Sequence, residues 1–302
     1  MKIKSITVTL LAPMTNHAAN RGEKLLGNAS SIKRRPDNRV YISGQMQRHA
    51  LFSAIDRLNE DDPNRNGTFV ANADGPSTNV AKDIRSDLGG YLDTNKDDYS
   101  GRRTAPATAT LAVAQQPSQV GRDLLVRLKM NEDRDANRKQ ALATNEYSQA
   151  DLMHMSFHLD VGAVGLTKLF KYGDEENKEV HVSTSYKDHL RGQPDERARR
   201  VRLFLEATRS LTDYANQARN ATTAEPQQVL IVLDSKMSRK AARYFASETN
   251  ETEKSRILAE LDSREAIYFL GDDTNAGALS VDEAYQKALV ALSANDLYNP
   301  AA

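Results

Sequence analysis

From Ile3 to Leu11 the chain alternates, with Lys4, Ile6, Val8 and Leu10 on one side and Ile3, Ser5, Thr7 and Thr9 on the other. This period-two pattern predicts a strand with one mostly apolar face, which Pro13 is expected to end. A short extended piece, Val40-Tyr41-Ile42, runs into Ser43-Gly44-Gln45. Beyond it Met46, Ala50, Leu51, Ala54, Ile55 and Leu58 recur at helical spacing, the stripe of a helix that buries one side. Gln45, Arg48, His49 and Asp56 fall largely outside that stripe. Ser43 suits the N-cap.

Residues 60–100 are rich in Asn, Asp, Gly and Pro and read as an inserted, poorly packed or mobile region with a short helix near Val80 to Leu88. Thr104 to Gln116 reads as extended, although Pro106 argues against a central strand. An apolar-basic run, Asp123 to Met130, leads into the polar run Asn131 to Lys139, and Asn131 to Ser148 looks like a projecting hairpin. Met153 to Gly165 is a further extended segment. A long helix is predicted over Glu196 to Ala215, with Asp195 and Glu196 at its positive end. A loop follows from Asn216 to Ala224, then a buried strand from Gln228 to Leu233. Helices are expected over 237–247, 252–262 and 281–294. The order β–α–insertion–β–α–β gives an α+β fold on the split βαβ plan, a single domain with insertions and no internal repeat.

The chain has 302 residues, zero net charge and neither Cys nor Trp. Disulfides and thiolate metal sites are thereby excluded. The N-terminal segment is too short and polar for a membrane span and lacks a signal-peptide cleavage pattern, so a cytoplasmic location and no membrane partner are expected. Charge is segregated: Glu60-Asp61-Asp62, Asp97-Asp98 and Asp174-Glu175-Glu176 against Lys33-Arg34-Arg35, Arg102-Arg103 and Arg197 to Arg202. Such patches suit a polyanion on one face and a second copy of the chain on another, or a solvated mixed surface.

Between Arg21 and Arg57 stand eight Arg or Lys and three Asp or Glu. Asn20, Arg21, Lys24, Asn28, Ser30, Ser31, Lys33, Arg34 and Arg39 supply donors, which suit phosphate and ribose oxygens. The helix start at Ser43-Gly44-Gln45 adds free backbone N–H groups on the side of Gln45 and Arg48. Gly44 allows close approach of a backbone. His154 and His158 lie four apart, but the alternation around them places His154, Ser156, His158 and Asp160 on one polar strand face. That favours solvent or a ligand over a metal. The chain has no phosphate-loop GKS/T, GxSxG or HExxH motif. Asp160 could be a general base but has no partner at a known spacing. Tyr41, Tyr147, Tyr186 and Phe170 could stack on unpaired bases, or serve as core or interface residues.

The segment NRGEK…GNASSIKRRPDNRVYISGQMQRHALF resembles the DevR-type backbone subunit of type I CRISPR surveillance complexes (Cascade), of the RAMP superfamily and I-B-like. The carrying residues are Asn20-Arg21, Gly27 to Ser31, Lys33 to Arg35, Ile42-Ser43-Gly44-Gln45 and Arg48. The family often has Ser where Gly44 stands. A weaker likeness covers about 120–235, including Glu146-Tyr147 and Asn216-Gln217-Ala218-Arg219. The resemblance implies an RNA-recognition-motif-like (ferredoxin-like) palm over 1–60 and 153–235, a helical or loop insertion over 61–115, a β-hairpin thumb over 120–152 and a C-terminal helical region over 236–302.

It also implies a non-catalytic protein, without cofactor or metal, that polymerises head to tail along guide RNA. That polymer would join other Cascade subunits and present guide bases to the target DNA strand. Asn20, Arg21, Lys24, Ser31, Lys33, Arg34, Ser43, Gly44, Gln45, Arg48, His49, Asn216, Gln217 and Arg219 would hold the RNA, and Tyr147 or Met130 would intercalate from the thumb. Contacts to backbone and shape would leave sequence reading to base pairing. The alternatives are an endoribonuclease backbone subunit of type III-like complexes, for which Asp37 is the candidate in the loop before the first helix, or a stand-alone RNA-binding protein.

Overall fold

The computed structural model describes residues 1–19, 21–24, 30–71, 77–92, 102–128, 140–175, 178–217 and 220–301. Asn20, Met130, Arg219 and the hairpin segment 129–139 lie outside the described residues. Strand β1 (Ser5–His17) is the centre of the main sheet. It runs through Pro13 rather than stopping there. Its other neighbour ends at Leu11, opposite Gln228, so the missing proline N–H falls where no strand asks for it. Helix α1 (Gly44–Asp61) follows, with the Ser43 hydroxyl accepting the Met46 N–H at 3.2 Å. Its buried side carries most of the expected stripe together with Gln47 and Phe52.

The predicted extended stretch after residue 104 divides into β2 (Ala107–Ala109) and β3 (Ala112–Ala114), both antiparallel to β5. Between β3 and β5 comes β4 (Val120–Leu128), which pairs with the first half of β5 (Gln140–Asp160) as an antiparallel hairpin. A second hairpin, β6 (Leu166–Glu175) and β7 (Lys178–Asp188), pairs only with itself among the described residues and was not foreseen. Helix α3 (Pro194–Ala207) ends eight residues before the predicted Ala215. Strand β8 (Gln228–Asp234) returns beside β1. The spatial order is therefore β8-β1-β5 with β2 and β3 on the far side of β5, these neighbours all antiparallel, while Ser30–Ile32 pairs parallel with β5 at Asn145.

Both faces of the sheet are covered. On one, Ile6, Val8, Leu10, Met155, Phe157 and Ile231 pack with residues of α1, α3 and α5 (Val281–Ser293). On the other, Leu11, Leu230 and Val232 meet Ala241, Tyr244 and Phe245 and, from α4 (Glu251–Ser263), Ile257 and Leu261. The C-terminal region is thus a second layer and not purely helical: it adds strand β9 (Ile267–Asp272) beside β8 and a strand at Asp296–Leu297 parallel to Lys2–Ile3. The helix expected over 237–247 is a single 3-10 turn, Lys240–Arg243. No described helix is long and apolar enough to cross a membrane.

The described part of the insertion is fastened rather than loosely packed. The Asp87 carboxylate, in the first turn of α2 (Ile84–Gly89), receives Arg103 and, at 2.7 Å, Arg200 from α3. Arg200 also reaches Glu196 at 2.7 Å and the carbonyls of Val80 and Ala81. Arg199 binds Glu196 and Asp62, and Arg197 donates to Val161 O and Tyr298 O. The sequence's basic run at Arg197 to Arg202 is therefore spent inside the molecule, and of its charged groups only Arg202 stands exposed.

Candidate nucleic-acid interface

Three segments far apart in sequence converge at the start of α1. The loop after α3 is folded by Gln217, whose amide nitrogen donates to Thr212 O (2.5 Å) and Thr222 O (2.8 Å) and whose amide oxygen accepts from Thr222 N. Asn216, at φ 66°, donates to Ala18 O at 2.7 Å, tying that loop to the end of β1. Tyr214 OH donates to Gln47 at 2.9 Å, and Asp213 takes His49 (3.2 Å) and the Ser53 hydroxyl (2.5 Å) from the next turn of α1. The fold thus brings His49, Asn216 and Gln217 to one corner, where their hydrogen bonds build and tie down the loop. Asp213 and Tyr214, which do the joining, gave no periodic signal.

The basic ribbon lies beside this corner. Arg21 pairs with Ile32 and Lys24 with Ser30 in backbone register. Ser30 donates to Asn145 at 2.7 Å, which sets the neighbouring Ser31, half-buried, at the foot of the hairpin. The buried Glu146 carboxylate accepts the Ile32 N–H (3.1 Å), Arg34 (3.3 Å) and Arg122 (3.1 Å). Those donors hold it below the usual carboxylate range against the opposing effect of burial. Arg34 keeps a side chain 37% exposed despite this tie, and Lys33 stands exposed. At the helix start Gln45 is exposed and the first turn carries no acidic residue, which leaves its positive end unneutralised.

Some expected positions do different work. A Cβ on Gly44 would meet Ala109 O at 2.9 Å, so the backbone that comes close is the protein's own, from the turn between β2 and β3. Arg48 is half-buried, with Nη2 donating to Gly89 O at 2.5 Å and its guanidinium 5.8 Å from the Phe52 ring. It faces the insertion. Tyr147 lies at the root of the β4–β5 hairpin, opposite Gly121, on which its ring rests. Asp37 is engaged by Arg39, through the backbone N–H at 3.1 Å and Nε at 2.7 Å.

The polar strand face at His154, Ser156 and His158 bonds to other parts of the protein. Ser156 Oγ donates to Ala242 O at 2.9 Å, His154 Nε2 lies 3.0 Å from the same carbonyl, and Thr7 Oγ1 is 2.9 Å from His158 Nδ1. Ser156 and His154 fasten the 240–245 turn, while His158 ties β5 to β1. Burial lowers both histidines, and with Arg239 nearby brings His158 to about 4. The Asp160 carboxylate is raised by burial, while the Gly162 and Ala163 N–H groups pull it down. Asp160 immediately precedes the 3-10 turn Val161–Ala163.

Residues 8–239 match the family described as CRISPR-associated negative auto-regulator DevR/Csa2. The chain belongs to this family. A comparison with curated proteins gave no match. Among solved structures, one chain of a "CRISPR RNA-guided surveillance complex" is similar at TM-score 0.53 and 12% identity, covering 95% of this chain and 99% of that one. A chain of a "CRISPR RNA-guided surveillance complex, pre-nicking" is similar at TM-score 0.57 and 12% identity, covering 96% and 99%. These likenesses establish a shared fold over nearly the whole of each chain.

Proposed function

We propose that the protein is a non-catalytic backbone subunit that binds CRISPR guide RNA in a type I Cascade-like complex. Copies line up head to tail along the RNA and expose guide bases to the target DNA strand, beside other subunits of the complex. The strand order and the helices on one face support reading the core as an RNA-recognition-motif-like palm. The observation that carries the proposal is the corner where α1 begins. There an uncompensated helix N-terminus, Gln45 and the Lys33–Arg34 ribbon meet the Asn216–Gln217 loop, in a chain of the DevR/Csa2 family. Such groups bind phosphate and ribose without reading bases.

The usual open face of such a sheet is covered here by Tyr244, Phe245 and α4, so the RNA runs along the corner instead. The bonds from Arg39 to Asp37 account for that carboxylate without chemistry. The test is to purify the full chain with guide RNA and image it by electron microscopy. A filament of regular repeat with RNA at the start of α1 is expected, and target RNA incubated with magnesium stays intact. RNA located on another surface, or regular cleavage, overturns the proposal.

A further inference from the structure

Phe170 and Tyr186, two of the aromatics that the sequence offers for stacking, share one face of the β6–β7 hairpin. Lys168 stands opposite Tyr186 across the ladder, and Phe170 is two positions along from Lys168. That face walls a cleft of about 600 Å³, within the size range of small-ligand sites. A further part of the lining is Lys4, Tyr298 and Met237. It is firmly held: Tyr298 N donates to Ile3 O at 2.9 Å, and Arg197 binds Tyr298 O at 2.6 Å.

The charges in the cleft favour an anion. Lys4 Nζ sits 4.8 Å from the Tyr298 ring centroid and Lys168 Nζ 5.1 Å from that of Phe170, so both ammoniums lean on rings. Arg103, at the back, is neutralised by Asp87. The lining carboxylate, Asp160, is raised by burial, which weakens its opposition to an anion. In the same lining Tyr186 is 40% and Met237 45% exposed, which is apolar surface left open in a cleft that also holds the two lysines. A base has a π-face for such a ring, and its phosphate suits the lysines.

We propose that this cleft takes an unpaired nucleotide of single-stranded nucleic acid, its base against Tyr186 and Met237 and its phosphate toward Lys4 and Lys168. The inference rests on the guide-RNA reading but uses an element apart from the corner at α1. A bound strand is then gripped at two places.

The test uses the full chain with short single strands, RNA carrying 5-iodouridine and DNA carrying 5-iododeoxyuridine, irradiated and mapped by mass spectrometry. Affinity is followed by fluorescence anisotropy. Crosslinks at Tyr186 or Met237 are expected, and whichever strand gives them is the occupant. Tyr186→Ala should weaken binding about tenfold, within the usual range for one stacked base. Tyr186→Phe should restore it, with melting temperatures unchanged for both. Should Tyr186→Ala bind normally without crosslinks in the cleft while Lys33→Ala still weakens binding, the cleft proposal fails and the corner stands. Absence of salt-sensitive binding by the unaltered chain removes both. A change in self-association on Tyr186→Ala, with nucleic-acid affinity intact, assigns the cleft to a protein partner and overturns the proposal.

Discussion

Arg48 and Lys33 are both cations near the start of α1, yet their surroundings separate their roles. Lys33 is exposed, and Lys33→Ala should lower RNA affinity about equally for every guide sequence, reducing the salt slope by about one. Titration against salt checks this. Arg48 lies on Phe52 and donates to Gly89 O. Its removal should cost about 1.5–3 kcal/mol of stability, the range for a hydrogen bond to a charged group, read by urea unfolding. The sequence marked both residues because helical spacing tells which side of α1 is apolar. It does not tell that the insertion folds back over part of the polar side.

His158 illustrates the same limit and gives a pH prediction. Its pKa falls from 6.5 to about 4 on folding, so the unfolded chain binds the proton first. Stability is full above about pH 6.5 and declines as the pH falls toward 4. At pH 5 the loss from this residue is about 2 kcal/mol. Chemical unfolding at pH 7 and pH 5 measures it, and His158→Asn should remove that part of the dependence.

Among the elements, α1 was the most legible, because its stripe and its N-cap both lie within a few residues. The insertion was the least. Asp87, Arg103 and Arg200 look like surface charges when read singly, and only the fold brings them together. Breaking a buried pair strands the remaining charge, at a cost of about 3–5 kcal/mol. Asp87→Asn should therefore destabilise the chain by that order and expose the insertion to proteolysis, whereas Arg202→Ala, on the exposed face of α3, should change little. Gly44→Ser tests the helix start differently. Although Ser suits the family pattern, a Cβ there crowds Ala109 O at 2.9 Å. A loss of about 1–3 kcal/mol is expected from such overpacking, seen in thermal melts.

At the scale of the molecule, the β–α–β–α–β order was readable because apolar runs and helical stripes alternate along the chain. The second layer was not. Thr9, His154 and Ser156 look like an outward polar face until the 240–245 turn, far along the chain, covers them. The resemblance pointed by its motifs to the corner proposed for nucleic acid, while the joining residues Asp213 and Tyr214 needed the fold. If roughly four phosphates are held per copy, RNA affinity should drop about 50-fold between about 50 and about 200 mM salt. Filter binding at several salt concentrations measures this.

Strand β1 is flanked on both edges and roofed on both faces, whereas β6 and β7 have only each other among the described residues. Amide protons should record that contrast. Those of Val8 to Leu10 should be among the last to exchange with deuterium, and those of the isolated hairpin among the first. Any slowing in the hairpin when an oligonucleotide is added would then stand out against a fast background, which makes this ribbon a built-in reporter of occupancy.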